Sequence, residues 1–451
     1  MLYRRLFVFC SIAALSVTFA QADWLRFRGP NGTGISSDSK PALTKWSPTE
    51  NIKWKVALPG SGASSPIVVG EKAFVTCYSG YGIDRGKPGN IKDLKRHLVC
   101  VDRSSGEIAW TKTIDAAQPE DPYSGMGVPA HGYASHSPVS DGENVYVFFG
   151  KSGVFGFDLD GNQLWQTSVG TQSDSKRWGS ASSPVVHGDV VIVIASAESR
   201  SLVGLNKKTG EEVWKQETDG VADVWGTPVL ANVDDRTDLV LGVPYEFWGL
   251  SPETGKLRWY SEAMESSSYN SSVVVSDGVV YGIEGRGGGS AAVKIGGKGD
   301  ITKENTIWTG NDSARFATPL VYDGRIYFFA NGIASCINAK DGSSIFKGRL
   351  PSDNASGNGR DGGGGGARGG RGGRGGRGFG SIDYSSPVAA DEKIYYVKSD
   401  GTTYVIDASE EFNLIATNKI TEDTENFSGT PAISDGQIIV RSNKHLYCIG
   451  Q

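Results

Sequence analysis

The segment Ser-Ser-Pro-Val-Val that begins at Ser182 recurs with small variations eight times, and each copy opens a similar stretch. The prolines are Pro66, Pro138, Pro184, Pro228, Pro319, Pro387 and Pro431, with Val273 in the remaining slot. Successive gaps are 72, 46, 44, 45, 46, 68 and 44 residues. Each stretch reads as two small residues and Pro, a β-prone pair, an Asp-Gly or Gly-Asp turn and an apolar run. A second apolar run ending in Asp or Asn, a Gly turn and a Trp complete it. A regular period of this length, built only of short strands, predicts a closed ring of four-stranded blades.

The Pro184 copy shows one unit. Ser183 to Val186 reads as a first strand, His187-Gly188-Asp189 as a hairpin turn, and Val190 to Ala195 as a second strand rich in β-branched residues. Leu202 to Asn206 is a third, Lys207 to Gly210 a turn, and Glu211 to Trp214 a fourth. Asp141-Gly142, Asp277-Gly278, Asp323-Gly324 and Asp435-Gly436 suit two-residue hairpins, because Gly accepts the positive φ these turns need. The fourth-strand Trp recurs as Trp110, Trp165, Trp214, Trp259 and Trp308, then weakens to Phe346 and Ile415. An indole at a fixed place in each unit reads as a wedge between neighbouring sheets.

The last copy, Gly429 to Gly450, supplies only three strands, and Glu50 to Val56, around Trp54, matches the missing fourth. The sequence therefore predicts an all-β, eight-bladed β-propeller of antiparallel blades. Its N-terminal strand would join the C-terminal blade and leave no open edge. Two separate β-sandwiches also use short strands, but the fixed phase of Pro and Trp along the chain argues against them.

Residues 1–22 read as an export signal: Arg4-Arg5, an apolar run from Leu6 to Phe19, and an Ala20-Gln21-Ala22 cleavage site. Residues 23–451 would then form one propeller, a monomer that is periplasmic or secreted. Four cysteines remain. Cys100, Cys336 and Cys448 share a third-strand position with Gly156, Gly204 and Gly249, which marks a packing site for a small residue. Cys77 falls on the strand expected beside that of Cys100, so a Cys77–Cys100 disulfide is open in an oxidising compartment. The net charge of −5 speaks against general nucleic-acid binding by the body.

Two gaps exceed the period. The extra length between Pro66 and Pro138 divides between Tyr78–His97 and Ala116–Ser135, both polar and Gly-rich. Between Pro319 and Pro387 it is the run 357–378, where Arg360, Arg368, Arg371, Arg374 and Arg377 face only Asp361. Such a run cannot bury enough apolar area to offset its ordering entropy, so a disordered Gly/Arg-rich loop is expected. An inert solvated loop is the default reading. Contact with anionic lipid or polysaccharide is the alternative.

Asp102 to Trp110 spells Asp-x-x-x-Gly-x-x-x-Trp; Asn206 to Trp214 and Ser251 to Trp259 repeat it with Asn and Ser in front. With the Pro and Trp phase, this resembles the pyrroloquinoline-quinone (PQQ) repeat family across nearly the whole mature chain. The opening Trp24-Leu25-Arg26-Phe27-Arg28-Gly29-Pro30-Asn31-Gly32-Thr33-Gly34 and the closing Lys444 to Gly450 are also similar to exported members. The family holds quinoprotein dehydrogenases and non-catalytic propellers, among them the BamB scaffold of outer-membrane barrel assembly. The repeat itself is a packing device, specific for fold and uninformative about activity.

In relatives of this fold the segment before each first strand rims one face of the central channel. Those segments here carry Tyr133 and His136, Trp178, Asp223 and Trp225, Glu265 with Tyr269 and Asn270, Arg315 with Phe316, Asp383 with Tyr384, and Glu425 with Phe427. The resemblance implies a ligand in that funnel. For a quinone it implies Trp178, Trp225, Tyr269 or Tyr384 as stacking faces and Arg315 for the carbonyls. Glu265 and Asn270 would hold Ca²⁺, with Asp223 as base.

Other chemistry has little support. The chain has five histidines, of which only His131 and His136 fall near the rim, and no H-x-x-x-H, G-x-S-x-G, adjacent Cys pair or C-x-x-C-H. The segment Asn232 to Asp238 has alternating oxygens but lacks the Gly and closing Glu of a Ca²⁺ loop, and reads as a hairpin. The leading expectation is a non-catalytic exported binding or scaffold module with a protein or glycan partner in the cell envelope. The alternative is a PQQ/Ca²⁺ dehydrogenase acting on alcohols or sugars.

Overall fold

The computed structural model describes residues 23–285, 288–314, 316–351 and 383–451. The segment 1–22 read as an export signal, the Gly/Arg-rich run and Arg315 lie outside them. Eight sheets form, one for each repeat, with antiparallel pairing of the four blade strands. In the Pro184 blade the strands Val185–His187, Val190–Ala195, Ser201–Asn206 and Glu212–Glu217 pair in chain order. The two middle strands are buried almost throughout, because neighbouring blades cover both faces of the sheet. The outermost strand buries Trp214 alone.

The ring closes as the repeat pattern requires. Ile52–Ala57 pairs antiparallel with His445–Ile449, setting Trp54 opposite Cys448 and Val56 opposite Leu446. Ala432–Ser434 and Gln437–Arg441 complete that blade. One blade departs from the plan. The connection in the Val273 blade lacks the Asp-x-x-x-Gly turn, and its Gly299–Asp300 instead adds a parallel fifth strand to Leu257–Glu262 of the Pro228 blade.

Each fourth-strand indole lies over a small residue on its own sheet. Trp165, Trp214 and Trp259 face Gly156, Gly204 and Gly249. A Cβ on Gly249 would sit 2.0 Å from Trp259 Cε2. Cys100, Cys336 and Cys448 hold the same place opposite Trp110, Phe346 and Trp54, which is why the position tolerates only small side chains. The indole N–H then reaches the next blade. Trp54 donates to the Arg103 carbonyl at 2.8 Å, Trp165 to Lys207 at 2.9 Å and Trp308 to Ala339 at 2.9 Å. Trp259, covered by the extra strand, donates to buried Asp238 at 2.8 Å. The segment from Asn232 is indeed a hairpin, with Asp234 and Asp235 exposed.

The Cys77–Cys100 disulfide does not form. Both thiols are free and buried. They lie on paired strands, but Cys77 faces His97 and Cys100 faces Phe74, a three-residue offset of roughly 10 Å along the ladder.

At the axis, the residue before each proline (or Val273) is Ser or Thr, and these side chains link every blade to the next. Ser65 N–H donates to Ser137 Oγ at 2.8 Å, Ser137 to Ser183 at 2.9 Å, Ser183 to Thr227 at 3.0 Å and Thr227 to Ser272 at 2.8 Å. Ser272 continues to Thr318 at 3.0 Å, Thr318 to Ser386 at 2.9 Å, Ser386 to Thr430 at 3.0 Å, and Thr430 returns to Ser65 at 2.8 Å. The eight bonds form a closed circle.

The N-terminal segment plugs the channel on one side of this circle. Trp24 exchanges backbone hydrogen bonds with Val68, the Leu25 carbonyl accepts from Ser140 N–H, and Gly34 and Ser36 pair with Ala389. Gly29 has φ +64, and a Cβ there would meet the buried Trp24 ring at 2.6 Å, so the turn admits only Gly. Arg28, 1% exposed, donates to the carbonyls of Gly32, Thr33, Thr318, Pro319 and Pro387. Arg26 donates to Pro228 at 2.8 Å.

The closing strand carries the toroid, so Trp54→Ala should cost about 3–5 kcal/mol of unfolding free energy. Urea unfolding followed by Trp fluorescence measures this. A loss below about 1 kcal/mol would mean that the shared blade does not hold the ring.

Candidate functional site

The plug makes the channel blind and leaves a funnel open on the other face. Its inner chamber, about 340 Å³, has the hydroxyl circle and Phe27 at the bottom and Trp178, Trp225, Phe316 and Tyr384 around the wall. A vestibule of about 480 Å³ shares Trp178, Phe316 and Tyr384 and adds Arg85, Tyr123 and Ile83. Ile83 and Met126 at the mouth are large apolar side chains with more than half their surface exposed.

Backbone pairing and one histidine set the aromatic walls. The segments before the first strands of two neighbouring blades bridge at Val224 and Tyr269, with Trp225 N–H on the Tyr269 carbonyl at 2.9 Å. Trp225 Nε1 donates to the Gly179 carbonyl at 2.8 Å, and its ring meets Trp178 edge-on with centroids 6.4 Å apart. His131 Nε2 donates to the Trp178 carbonyl at 2.7 Å, and its Nδ1 lies 2.6 Å from Ser135 Oγ. Burial lowers the His131 pKa, so the ring is neutral at neutral pH and the Nε2 proton stays on that bond. Across the chamber Phe316 and Tyr384 pack with centroids 4.9 Å apart at 35°.

The chamber brings together Trp178, Trp225, Asn270 and Tyr384 from the sequence candidates. Tyr269 does not reach it. Its ring fills a slot over Gly242 and Gly282, where a Cβ would come within 2.3 Å, and it packs edge-on against Phe247. Glu265 is exposed and outside the lining. The Asn270 amide is bound to buried Glu284 through Nδ2 at 2.8 Å, and Asp223 pairs with Lys176 at 3.0 Å. Asp383 accepts from the Ser399 N–H and hydroxyl, and Glu425 is buried under Ser442, His445 and Tyr447. Phe427 is buried too.

Sequence reading passed over Phe27, Met126 and the hydroxyl circle. It also took the insertions Tyr78–His97 and Ala116–Ser135 for polar excursions. They instead share a small core of Tyr78, Tyr81, Leu94, Val128 and Tyr133 and build one wall of the funnel. The tyrosine content of the two segments was the available signal.

Behind that wall lies a buried polar cluster around a space of about 30 Å³, roughly one water's share of liquid volume. Arg96 pairs with Glu120, and Lys151 with Asp121. Glu198 has no such cation. Its Oε1 accepts from Ser180 Oγ at 2.7 Å, and Oε2 has no partner among the described residues. Burial lifts the Glu198 carboxyl to about 7. His136, 3.1 Å from the same Ser180 oxygen, is pushed by burial down to about 3 and stays neutral.

The fold and the cavity together define an eight-bladed β-propeller with a blind axial funnel. The family model for the outer membrane protein assembly factor BamB matches residues 21–177 and 90–238. No curated protein sequence matches the chain. The crystal structure of BamB from Moraxella catarrhalis is similar at 12% identity and TM-score 0.56, covering 88% of this chain and 96% of that one. A europium-containing methanol dehydrogenase is similar at 12% identity and TM-score 0.55, covering 93% and 89%. The computationally designed Ika8 protein is similar at 11% identity and TM-score 0.51, covering 88% and 98%. At these identities the structures share the fold alone. The repeat match over residues 21–238, together with this shared fold, supports the PQQ-like β-propeller family.

A quinone with Ca²⁺, which that family implies, requires hard oxygen ligands, carboxylates above all. Among the described residues no Asp or Glu lines the chamber or the vestibule. No three His, Cys, Asp or Glu side chains gather as a metal set there or elsewhere among them. The donor set does not fit the pair.

The Glu198 carboxyl has a folded-state pKa above its unfolded one. The stability it lends is complete below about 4.5 and is lost as the pH rises through about 7. Glu198→Gln does not titrate. From pH 5 to pH 8 the unfolding free energy of the variant should therefore gain about 2–3 kcal/mol on the parent. Denaturant titrations at the two pH values measure it, and a constant difference would show an ordinary carboxylate.

Proposed function

We propose that this chain is a non-catalytic binding module of the cell envelope whose funnel receives a group from a protein or glycan partner. The observation that carries the reading is the lining: aromatic and hydroxyl surface held by a rigid ring, with no carboxylate among the described lining residues to act as acid, base or metal ligand. Apolar side chains stand exposed at the mouth, where a partner would cover them. The family match to an outer membrane protein assembly factor supports an envelope partner. So does the export signal read from residues 1–22. The walls come from four separate blades, so partner binding would act on a preformed surface rather than fold one.

A Trp178→Ala/Trp225→Ala double variant should retain the fold by circular dichroism and recover at least tenfold less of the partner that the parent captures from envelope extract. Equal recovery, quantified by mass spectrometry, would remove the funnel from the function. Purified parent protein incubated with PQQ and Ca²⁺ should retain no quinone absorbance after desalting and should reduce no dye with alcohols or sugars. Retention or turnover would establish the dehydrogenase instead.

A further inference from the structure

The hydroxyls at the bottom of the funnel are only half used by the ring they close. Each oxygen accepts one backbone N–H from the neighbouring blade, which leaves its own hydrogen to give. All eight residues line the chamber and each is more than nine-tenths buried. Among the described residues none of the eight donates to a protein acceptor. Accepting an N–H also polarises the O–H and makes it the better donor. The floor is therefore a crown of converging donors.

The charge beneath the crown has the same sense. Arg28 bonds the carbonyls of Thr318, a member of the ring, and of Pro319 and Pro387; Arg26 bonds that of Pro228, directly after Thr227 of the ring. Burial lowers the two guanidinium pKa values to about 9 and about 10, so both stay cationic at neutral pH. Neither meets a carboxylate among the described residues. Carbonyl dipoles compensate part of a buried charge, and the rest favours an anion close by. Arg85 in the vestibule adds positive charge along the way in, whereas Lys176 at the chamber wall is paired with Asp223. A cation on the axis would meet two guanidinium groups and hydroxyl oxygens already occupied by N–H donors.

We propose that the floor of the funnel binds a single carboxylate-type oxyanion on the channel axis, carried at the tip of a flat apolar group that the aromatic walls hold. This rests on the funnel being a binding site, as proposed above, and adds the chemistry of what it takes. A free aromatic acid and the C-terminal carboxylate of a polypeptide ending in an aromatic residue both present that group.

Calorimetric titration of the mature chain with 2-naphthoate and 2-naphthamide, and with Gly-Gly-Trp carrying a free or amidated C-terminus, tests it. An acid that binds at least tenfold more tightly than its amide supports the proposal; preference in the naphthyl pair alone points to a free acid, and preference in the peptide pair to a chain terminus. Ser183→Ala and Ser386→Ala, where they fold, should weaken the acid at least threefold and leave the amide unchanged. Acid and amide of equal affinity in both pairs, or no binding of any probe at millimolar concentration, would overturn it. If both forms bind equally and Trp178→Ala abolishes both, the oxyanion site is lost while the funnel remains a binding site.

Discussion

Eight hydrogen bonds from backbone N–H to side-chain hydroxyl, passed from blade to blade around the axis, hold this molecule to one shape. A residue before proline is extended, and proline has no N–H of its own, so seven of the innermost strands begin with one lone donor facing the channel, and Ser272 before Val273 keeps the same pairing in the eighth. Left unpaired in a buried place, that donor would cost about 1–3 kcal/mol. A Ser or Thr at the same step of the next repeat takes it up, and the acceptor's own N–H passes the demand onward. Such a chain of demands is satisfied at every step only when it returns to its start. Outside it, the indoles repeat the principle: Trp54, Trp165 and Trp308 each tie their blade to the next through one carbonyl.

On that fixed ring the site is made of parts that vary. Trp178, Trp225, Phe316 and Tyr384 each come from the connection entering a different blade, and Met126 and His131 come from an insertion with a core of its own. Loops on a rigid scaffold are where recognition changes without loss of fold. The arrangement also sorts charge. Behind the wall Arg96 and Lys151 have carboxylate partners, whereas under the floor Arg26 and Arg28 have only carbonyls among the described residues.

Blade number, strand order, the Trp wedges and the shared closing blade were legible because each is a matter of phase, and a period of short strands states phase directly. The rim aromatics were reachable for the same reason. What phase does not give is which way a side chain points. Ser268 and Asn270 line the chamber while Tyr269 between them turns into the core, the alternation expected of extended backbone once Val224 and Tyr269 bridge. The Ser or Thr before each proline was visible as a small residue, yet its second role depends on an atom of a neighbouring repeat. The contributions of Phe27 and Arg28 were hidden by distance, since Arg28 meets its partners in the blades 290 to 359 residues away in the chain. The insertions misled through their glycines, which outnumber the tyrosines that pack them.

The plug has a bearing on the order of assembly. Its residues precede every blade in the chain, while the carbonyls of Thr318, Pro319 and Pro387 that receive Arg28 come late. Until then a guanidinium destined for the interior has nowhere dry to go, and the early blades stay an open arc with bare strand edges at both ends. That one side chain therefore finds these partners only when the late blades are in place. A nascent chain halted before the Pro387 blade would remain an edge-exposed intermediate, the kind of species that chaperones recognise.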